Sequence, residues 1–414
     1  MKNSKPLKIA MIVGVFPSVS EAFITNQLKF LVKSGHEVDI LATRNLDFDN
    51  SLFSSESFDS LKSKARVFSK AELLPNNYFQ RLINSILIFI KFKQTIHLLK
   101  AFNIFKYGKS ALDFSMFYNI YYKYYFSIQG YDVVHIHFGD NAVHLKNQIS
   151  NFNKSVVITF HGYDAHKFDV NYYRDLALLE NIKLTVNTEY TKRKVKRLGF
   201  DNFQIYTLPV GLDIEFFKPR REQQNNKTIK VLFVGRLVEF KNPLLAIKII
   251  QKLSISHPDI FLNIIGDGPL LDYCTNYLKS NNLNKIIKLQ GSKSQDEIIN
   301  FMNESSFFLY PSSIDKSGRC ENQGLVIQEA QAMQLPVVTS NVGGVAEGLV
   351  DEKTGFIIEE GNIDVFLTKI LWLIDNPIKR KEMGKAARQY VIENYDSNIL
   401  GKRLIDIYTI STQE

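Results

Sequence analysis

The chain has 414 residues, 45% hydrophobic and 22% charged, an ordinary globular balance with enough length for two domains or one large one. Two cysteines, Cys274 and Cys320, exclude a disulfide framework and leave the cytoplasm as the default compartment; no apolar run is long enough to span a bilayer, and the nearest, Leu82 to Ile90, is broken by Asn84 and Ser85. The net charge of +9 lies entirely in the first part: residues 1–218 carry 28 Lys and Arg against 19 Asp and Glu, whereas residues 219–414 carry 23 of each, which suggests an anionic surface as a partner of the first part.

The opening KNSKPLK followed by IAMIVGVF imitates a signal peptide, but no small-residue cleavage site follows and Glu21 comes soon after, so Lys8 to Val15 reads as a buried strand. Glu21 to Ser34 reads as an amphipathic helix ended by Gly35, and Glu37 to Ala42 as the next strand. This β-α-β opening implies a parallel sheet, and the missing GxGxxG after the strand argues against a dinucleotide-dependent dehydrogenase. Asp47-Phe48-Asp49 lies in a Ser-rich polar loop and reads as solvated acids.

Residues 81–126 hold seven Lys or Arg (Arg81, Lys91, Lys93, Lys100, Lys106, Lys109 and Lys123) and one acid, Asp113, interleaved with Ile, Leu, Phe and Tyr. They read as a pair of basic amphipathic helices, either resting on anionic lipid or facing the core with snorkelling Lys stems. Nucleic acid also takes basic residues with interleaved aromatics, but no nucleic-acid-binding motif is present and none is expected as a partner.

Tyr131 to Phe138 reads as a strand with His135 and His137 on one face. With His144 nearby these suggest zinc, but no Cys or carboxylate completes a ligand set, and no metal is expected. Val156 to Phe160 is a strand that delivers His161-Gly162-Tyr163-Asp164 into a loop, at the strand end where open α/β sheets place ligands; a buried structural role for His161 is the alternative. TKRKVKRLG reads as a basic, solvated helix, and Leu208-Pro209-Val210-Gly211 as a turn before the polar stretch Arg220 to Lys227.

The β-α alternation then restarts. Ile229 to Val234 reads as a strand leading into Gly235-Arg236-Leu237-Val238-Glu239-Phe240-Lys241, where Gly permits close approach and two cations are brought to it. Phe261 to Ile265 ends in Gly266-Asp267-Gly268-Pro269, and Ile286 to Leu289 in Gln290-Gly291-Ser292 before a helix from Gln295. Phe307 to Tyr310 leads into GRCENQGLVIQEAQAMQLPVVTSNVGGVAE, residues 318–347, which reads as loop, helix, turn and strand, with Pro336 stopping the helix. Taken on helical spacing, Glu321 and Glu329 would be offset by about 80° and about 12 Å, which suits two parts of one elongated ligand and not one metal. A helix N-terminus opened by Gly324 lies between them and favours phosphate. Residues 363–395 read as helices and Ser397 to Ile410 as a terminal helix.

Glu321 and Glu329 with seven residues between them, followed by LPVVTSNVGG and VDEKTGFI, resemble the retaining glycosyltransferases of family four, in particular those that build bacterial exopolysaccharide and lipopolysaccharide. The resemblance covers nearly the whole chain, is most specific from Arg236 to Gly355, and departs at Ser20-Glu21-Ala22, where many relatives carry Gly-Gly. It implies an α/β protein of the GT-B fold, two Rossmann-like domains facing a central cleft. Residues 1–212 would form the acceptor side and 213–395 the nucleotide-sugar side, with 396–414 a helix crossing back to the first domain.

The activity implied is metal-independent transfer of a hexosyl group, with retention of configuration, from a nucleotide-diphosphate sugar to a glycan or lipid-linked acceptor, with no cofactor. A nucleotide-sugar epimerase of the same fold and a non-enzymatic lipid- or nucleic-acid-binding protein are the rival readings. By the same resemblance His161, Arg236, Lys241 and Glu321 are catalytic. Arg236 and Lys241 would grip the diphosphate, Glu321 the donor sugar and Glu329 the ribose, with Gly291, Gly324, Leu325 and Val326 completing the donor site. A cytoplasmic protein is expected, peripheral on the inner membrane face if residues 81–126 rest on lipid and not on the core.

Overall fold

A computed structural model describes residues 5–18, 22–46, 61–92, 95–220 and 228–410. The Asp47 and Asp49 pair, the Ser20-Glu21 departure and most of the polar stretch after Arg220 lie outside the described residues. The chain divides into two compact units: Met1–Val186 with Thr191–Leu208 and Gly401–Glu414, and Asn187–Tyr190 with Pro209–Leu400.

The first unit is built on seven strands: β1 (Lys8–Phe16), β2 (Glu37–Leu46), β3 (Ala65–Val67), β4 (Val133–His137), β5 (Ser155–Phe160), β6 (Ile182–Val186) and β7 (Ile205–Thr207). They lie in the order β3-β2-β1-β4-β5-β6-β7, every pair parallel. The inner strands are covered on both faces, so β1 is apolar almost throughout, and β4 is buried at every position even though it carries His135 and His137. Helix α1 (Ala22–Lys33) makes the first crossover, and Gly35 follows it with φ +89°.

Residues 81–126 are not the two helices that the sequence suggests. Helix α2 (Tyr78–Lys91) is followed by a 3-10 helix (Ile96–Phe102) and by the short helices Ile104–Tyr107, Lys109–Leu112, Ser115–Lys123 and Tyr125–Ile128. Local chemistry cuts the run. The Asn103 side chain accepts from the N–H of Lys106, Gly108 has φ +51°, Phe114 is left-handed, and Asp113 accepts from the N–H of Ser115.

The second unit is a six-stranded sheet of β8 (Ile229–Val234), β9 (Ile260–Ile265), β10 (Ile287–Leu289), β11 (Phe307–Tyr310), β12 (Val337–Ser340) and β13 (Gly355–Ile358). The order β10-β9-β8-β11-β12-β13 is again wholly parallel. Strand order reverses between β8 and β11. The loops leaving those two strands therefore part at a topological switch point, where open α/β sheets bind ligands. Each unit has its own apolar core.

Helix α3 (Pro243–Leu253) follows β8, α4 (Leu325–Ala332) follows β11, and the terminal helix is α5 (Ser397–Thr409). From Gly401 onward α5 belongs to the first unit. Within that unit, Lys183 Nζ donates to the carbonyls of Ile407 (2.9 Å) and Ile410, and Tyr408 Oη bonds His135 Nδ1 at 2.7 Å. A cation against the last-turn carbonyls satisfies groups that the helix leaves unpaired.

Candidate functional site

The loop after β8 carries Arg236 and Lys241 and is pressed onto the loop after β9. A Cβ on Gly266 would stand 2.0 Å from the Gly235 carbonyl, and one on Gly268 would stand 2.7 Å from the Leu237 carbonyl, so glycine at both positions allows the contact. Leu237 N–H donates to Asp267 (2.8 Å) and Gly266 N–H to Gly291 (2.9 Å), which ties the loop holding Gly291 into the same edge. Asn242 turns the chain in the left-handed region and caps α3, whose first residue is Pro243.

Lys241 reaches back across Gly235. Its Nζ lies 2.7 Å from Glu321 Oε2 and donates to Tyr310 Oη at 2.8 Å, while Tyr310 Oη donates to the same Glu321 oxygen at 2.6 Å. Burial alone would raise the Glu321 pKa; the Lys241 ammonium, the Tyr310 hydroxyl and the Asn322 N–H hold it below the usual carboxylate value. Burial and the Glu321 charge push the Tyr310 hydroxyl well up, so it remains a donor. Sequence reasoning misses Tyr310, which ends a strand of Phe307, Phe308 and Leu309 and looks like one more core aromatic; the signal that could have found it is its lone polar tip at the end of that strand.

Glu321 is not on a helix. Gly324, left-handed at φ +67°, starts α4 three residues later, so the helical spacing applies only to Glu329. Glu321 instead lies in a loop braced from three sides. Gln323 clamps Val210 with both ends of its amide (2.7 and 3.0 Å), Thr188 Oγ1 donates to Asn322 Oδ1 at 2.6 Å, and Gly344 N–H donates to the Glu321 carbonyl at 3.2 Å. A Cβ on Gly343 would fall 2.0 Å from that carbonyl and one on Gly344 2.4 Å from the Asn322 carbonyl, a physical reason for the Gly-Gly pair.

Glu329, in the second turn of α4, is half-buried, and its carboxylate has no hydrogen-bond partner among the described residues. Burial raises its pKa to about 7, against the pull of the Lys241 charge. Lys241 therefore stands electrostatically between the two acids. Gly324 is buried, and Leu325 and Val326, half-buried, present the first N–H groups of α4, which have no intrahelical acceptor. Arg236 is exposed and makes no ion pair among the described residues.

His161 belongs to the first unit. Asp164 accepts the backbone N–H groups of His161 (3.0 Å), Gly162 (3.0 Å), Ala165 (3.1 Å) and Gly139 (2.7 Å), which fixes the loop after β5 against the loop after β4. The His161 ring is bonded through Nε2 to His137 Nδ1 at 3.0 Å and packs on Phe23 and Phe138. Burial lowers the pKa of His161 well below its ordinary value and that of His137 to about 3, so both rings are neutral. His135 is fully enclosed between Tyr408 and Thr159, a structural role. Among the described residues no group of three or more His, Cys, Asp or Glu could hold a metal ion, and no helix is long and apolar enough to cross a membrane.

Two parallel-sheet α/β units are the fold of the GT-B glycosyltransferases. Residues 215–390 match the family described as Glycosyl transferases group 1. The chain is similar to the amylovoran biosynthesis glycosyltransferase AmsK of Erwinia amylovora, 26% identical over 416 residues, covering 97% of this chain and 99% of the relative. Among solved structures it is similar to a glycosyltransferase from Rickettsia africae (TM-score 0.68, 20% identity, 98% of each chain) and to Anabaena HepE in complex with UDP and glucose (TM-score 0.65, 15% identity, 97% and 98%). The chain is a glycosyltransferase, and its second unit carries the group 1 match.

Proposed function

We propose that the chain transfers a hexosyl group from a nucleotide-diphosphate sugar to an acceptor hydroxyl with retention of configuration, in the assembly of a surface polysaccharide or a lipid-linked glycan. The observation that carries this reading is Lys241 between two acids, ion-paired to Glu321 and felt by Glu329, in the loop that also bears Arg236. In this reading the diphosphate lies against Arg236, Lys241 and the N-terminus of α4, the donor sugar hydroxyls meet Glu321, and the ribose hydroxyls meet Glu329. The contact between Lys241 and Glu321 supports it, since sugar and phosphate adjoin in the donor. Gly291 lies along the same edge and is assigned to the base.

The reaction builds charge on the departing diphosphate while the sugar becomes oxocarbenium-like. Two cations and an unpaired helix end are the groups that stabilise such a leaving group, so no divalent metal is needed. The acceptor hydroxyl attacks on the face from which the diphosphate departs and passes its proton to that phosphate. His161, neutral and oriented by His137, is assigned to the donor sugar. The partners are the nucleotide sugar, a glycan or lipid-linked acceptor and an anionic membrane; the protein is placed in the cytoplasm on the inner membrane face.

The test is a thermal-shift screen with UDP-, GDP- and ADP-sugars, followed by transfer assays with the stabilising donor and analysis of the product anomer. A stabilising donor, a retained anomer and activity that survives chelator are expected. Arg236→Ala and Lys241→Ala should each lower turnover by about 10²–10³. Full activity in both variants, an inverted product, or a nucleotide sugar epimerised without acceptor would overturn the reading.

A further inference from the structure

Helix α2 is amphipathic in the wrong sense for a helix of a globular core. Phe79, Ile83, Ile86, Leu87 and Ile90 recur at helical spacing on one face, and all five are exposed, Phe79 to 64% and Ile90 to 77%. The residue that α2 buries is Ser85, with Ile88, Phe89 and Phe92 packed partly against the core. The adjoining 3-10 helix repeats the pattern. Residues three apart eclipse one another in such a helix, and Ile96, Leu99 and Phe102 are exposed in one line, while Leu98 and Ala101 are buried. Phe89 stacks on Phe102 with ring centroids 6.1 Å apart, and Phe114 meets both Phe102 and Tyr78, so the two stripes form one surface. Ile104, Phe105 and Leu112 extend it. Of the 23 large apolar side chains that stand exposed among the described residues, twelve fall between Tyr78 and Leu112. A patch of that density marks an interaction surface and not ordinary scatter.

The charges say what it meets. Lys91, Lys100, Lys106, Lys109 and Lys123 are exposed, and none makes an ion pair among the described residues. The single acid of the segment, Asp113, lies beside Arg81. A second copy of this chain docked through the same patch would set like charges against each other with no carboxylate between them. An anionic bilayer answers both features, phosphates for the lysines and the acyl boundary for the stripe.

We propose that α2 and the 3-10 helix after it form a shallow-insertion surface that lies in the headgroup plane of an anionic membrane, with Phe79, Ile83, Leu87, Ile90, Ile96 and Leu99 entering the acyl boundary. The proposal rests on the membrane partner named above and gives it a face and a depth.

The test is flotation of the full chain with vesicles of phosphatidylcholine alone and of phosphatidylcholine with phosphatidylglycerol. The wild type and the triple variant Ile83→Glu, Leu87→Glu, Ile90→Glu are compared, with circular dichroism and donor-induced thermal shift recorded for both. The wild type should float with the anionic vesicles only, and the variant should bind them at least about tenfold more weakly while keeping its fold and its donor shift. Because the three added charges could repel the membrane by themselves, a second variant with Ile83, Leu87 and Ile90 all changed to Ser should also lose most of the binding. Wild type that does not float, Ser variants that float as well as wild type, or a dimer that the same substitutions dissociate without any vesicle binding would overturn it. A donor shift absent from wild type would count against the transferase reading alone.

Discussion

Lys241, Glu321 and Tyr310 share one proton-rich junction in which every group has a partner, whereas the Glu329 carboxylate has none among the described residues. That difference predicts a pH effect. The Glu329 pKa rises from 4.5 to about 7 on folding, so the folded state holds the proton more tightly than the unfolded chain. The stability this contributes is complete below about pH 4.5 and is lost as pH climbs through about 7. Glu329→Gln, which fixes the neutral form, should therefore melt at least about 2–4 °C higher than wild type near pH 8 and differ little near pH 5, by scanning calorimetry. An equal change at both values would remove the buried-acid argument. The charged residues of this group are legible in the sequence through their context, the loop after a strand for Arg236 and Lys241 and the following LPVVTSNVGG for Glu321 and Glu329, since the spacing of the two acids alone is common. Tyr310 is not, since only the fold brings its hydroxyl to the two charges.

At the scale of elements, the loops around the site are set by glycines that hold backbone against backbone. Gly343→Ala would drive a Cβ into the Glu321 carbonyl from a left-handed residue, at about 1–3 kcal/mol for the backbone conformation alone. It should lower the melting temperature and weaken donor binding together; an unchanged donor affinity in a destabilised variant would show that the loop does not position Glu321. The strands were readable because both sheets are buried on two faces and their runs are apolar. The start of α4 is readable from Gly324, and what fails is the helical spacing applied to Glu321, which lies in the loop before that glycine. Residues 81–126 were misread as two helices, since their periodicity survives the breaks that Asn103, Gly108 and Asp113 impose.

For the whole molecule, the chain closes on its own beginning: residues from Gly401 on belong to the unit that holds β1. Tyr408 is the partner of the enclosed His135, so Tyr408→Phe leaves a buried ring nitrogen unsatisfied at a cost of about 1–3 kcal/mol. Denaturant unfolding should register that loss, and the donor-induced thermal shift should persist, because the groups proposed to hold the diphosphate and the ribose lie in the other unit. A variant as stable as wild type would show that the bond contributes nothing. The central claim, however, concerns the second unit, and calorimetric titration of a nucleotide-diphosphate sugar, in the presence of chelator, tests it most directly. Wild type should bind, and Arg236→Ala should bind at least about tenfold more weakly, as loss of a charge-assisted phosphate contact requires. Glu321→Gln should lose affinity for the sugar nucleotide while keeping affinity for the bare nucleoside diphosphate. Binding that needs a divalent metal, or that ignores both substitutions, would contradict the account.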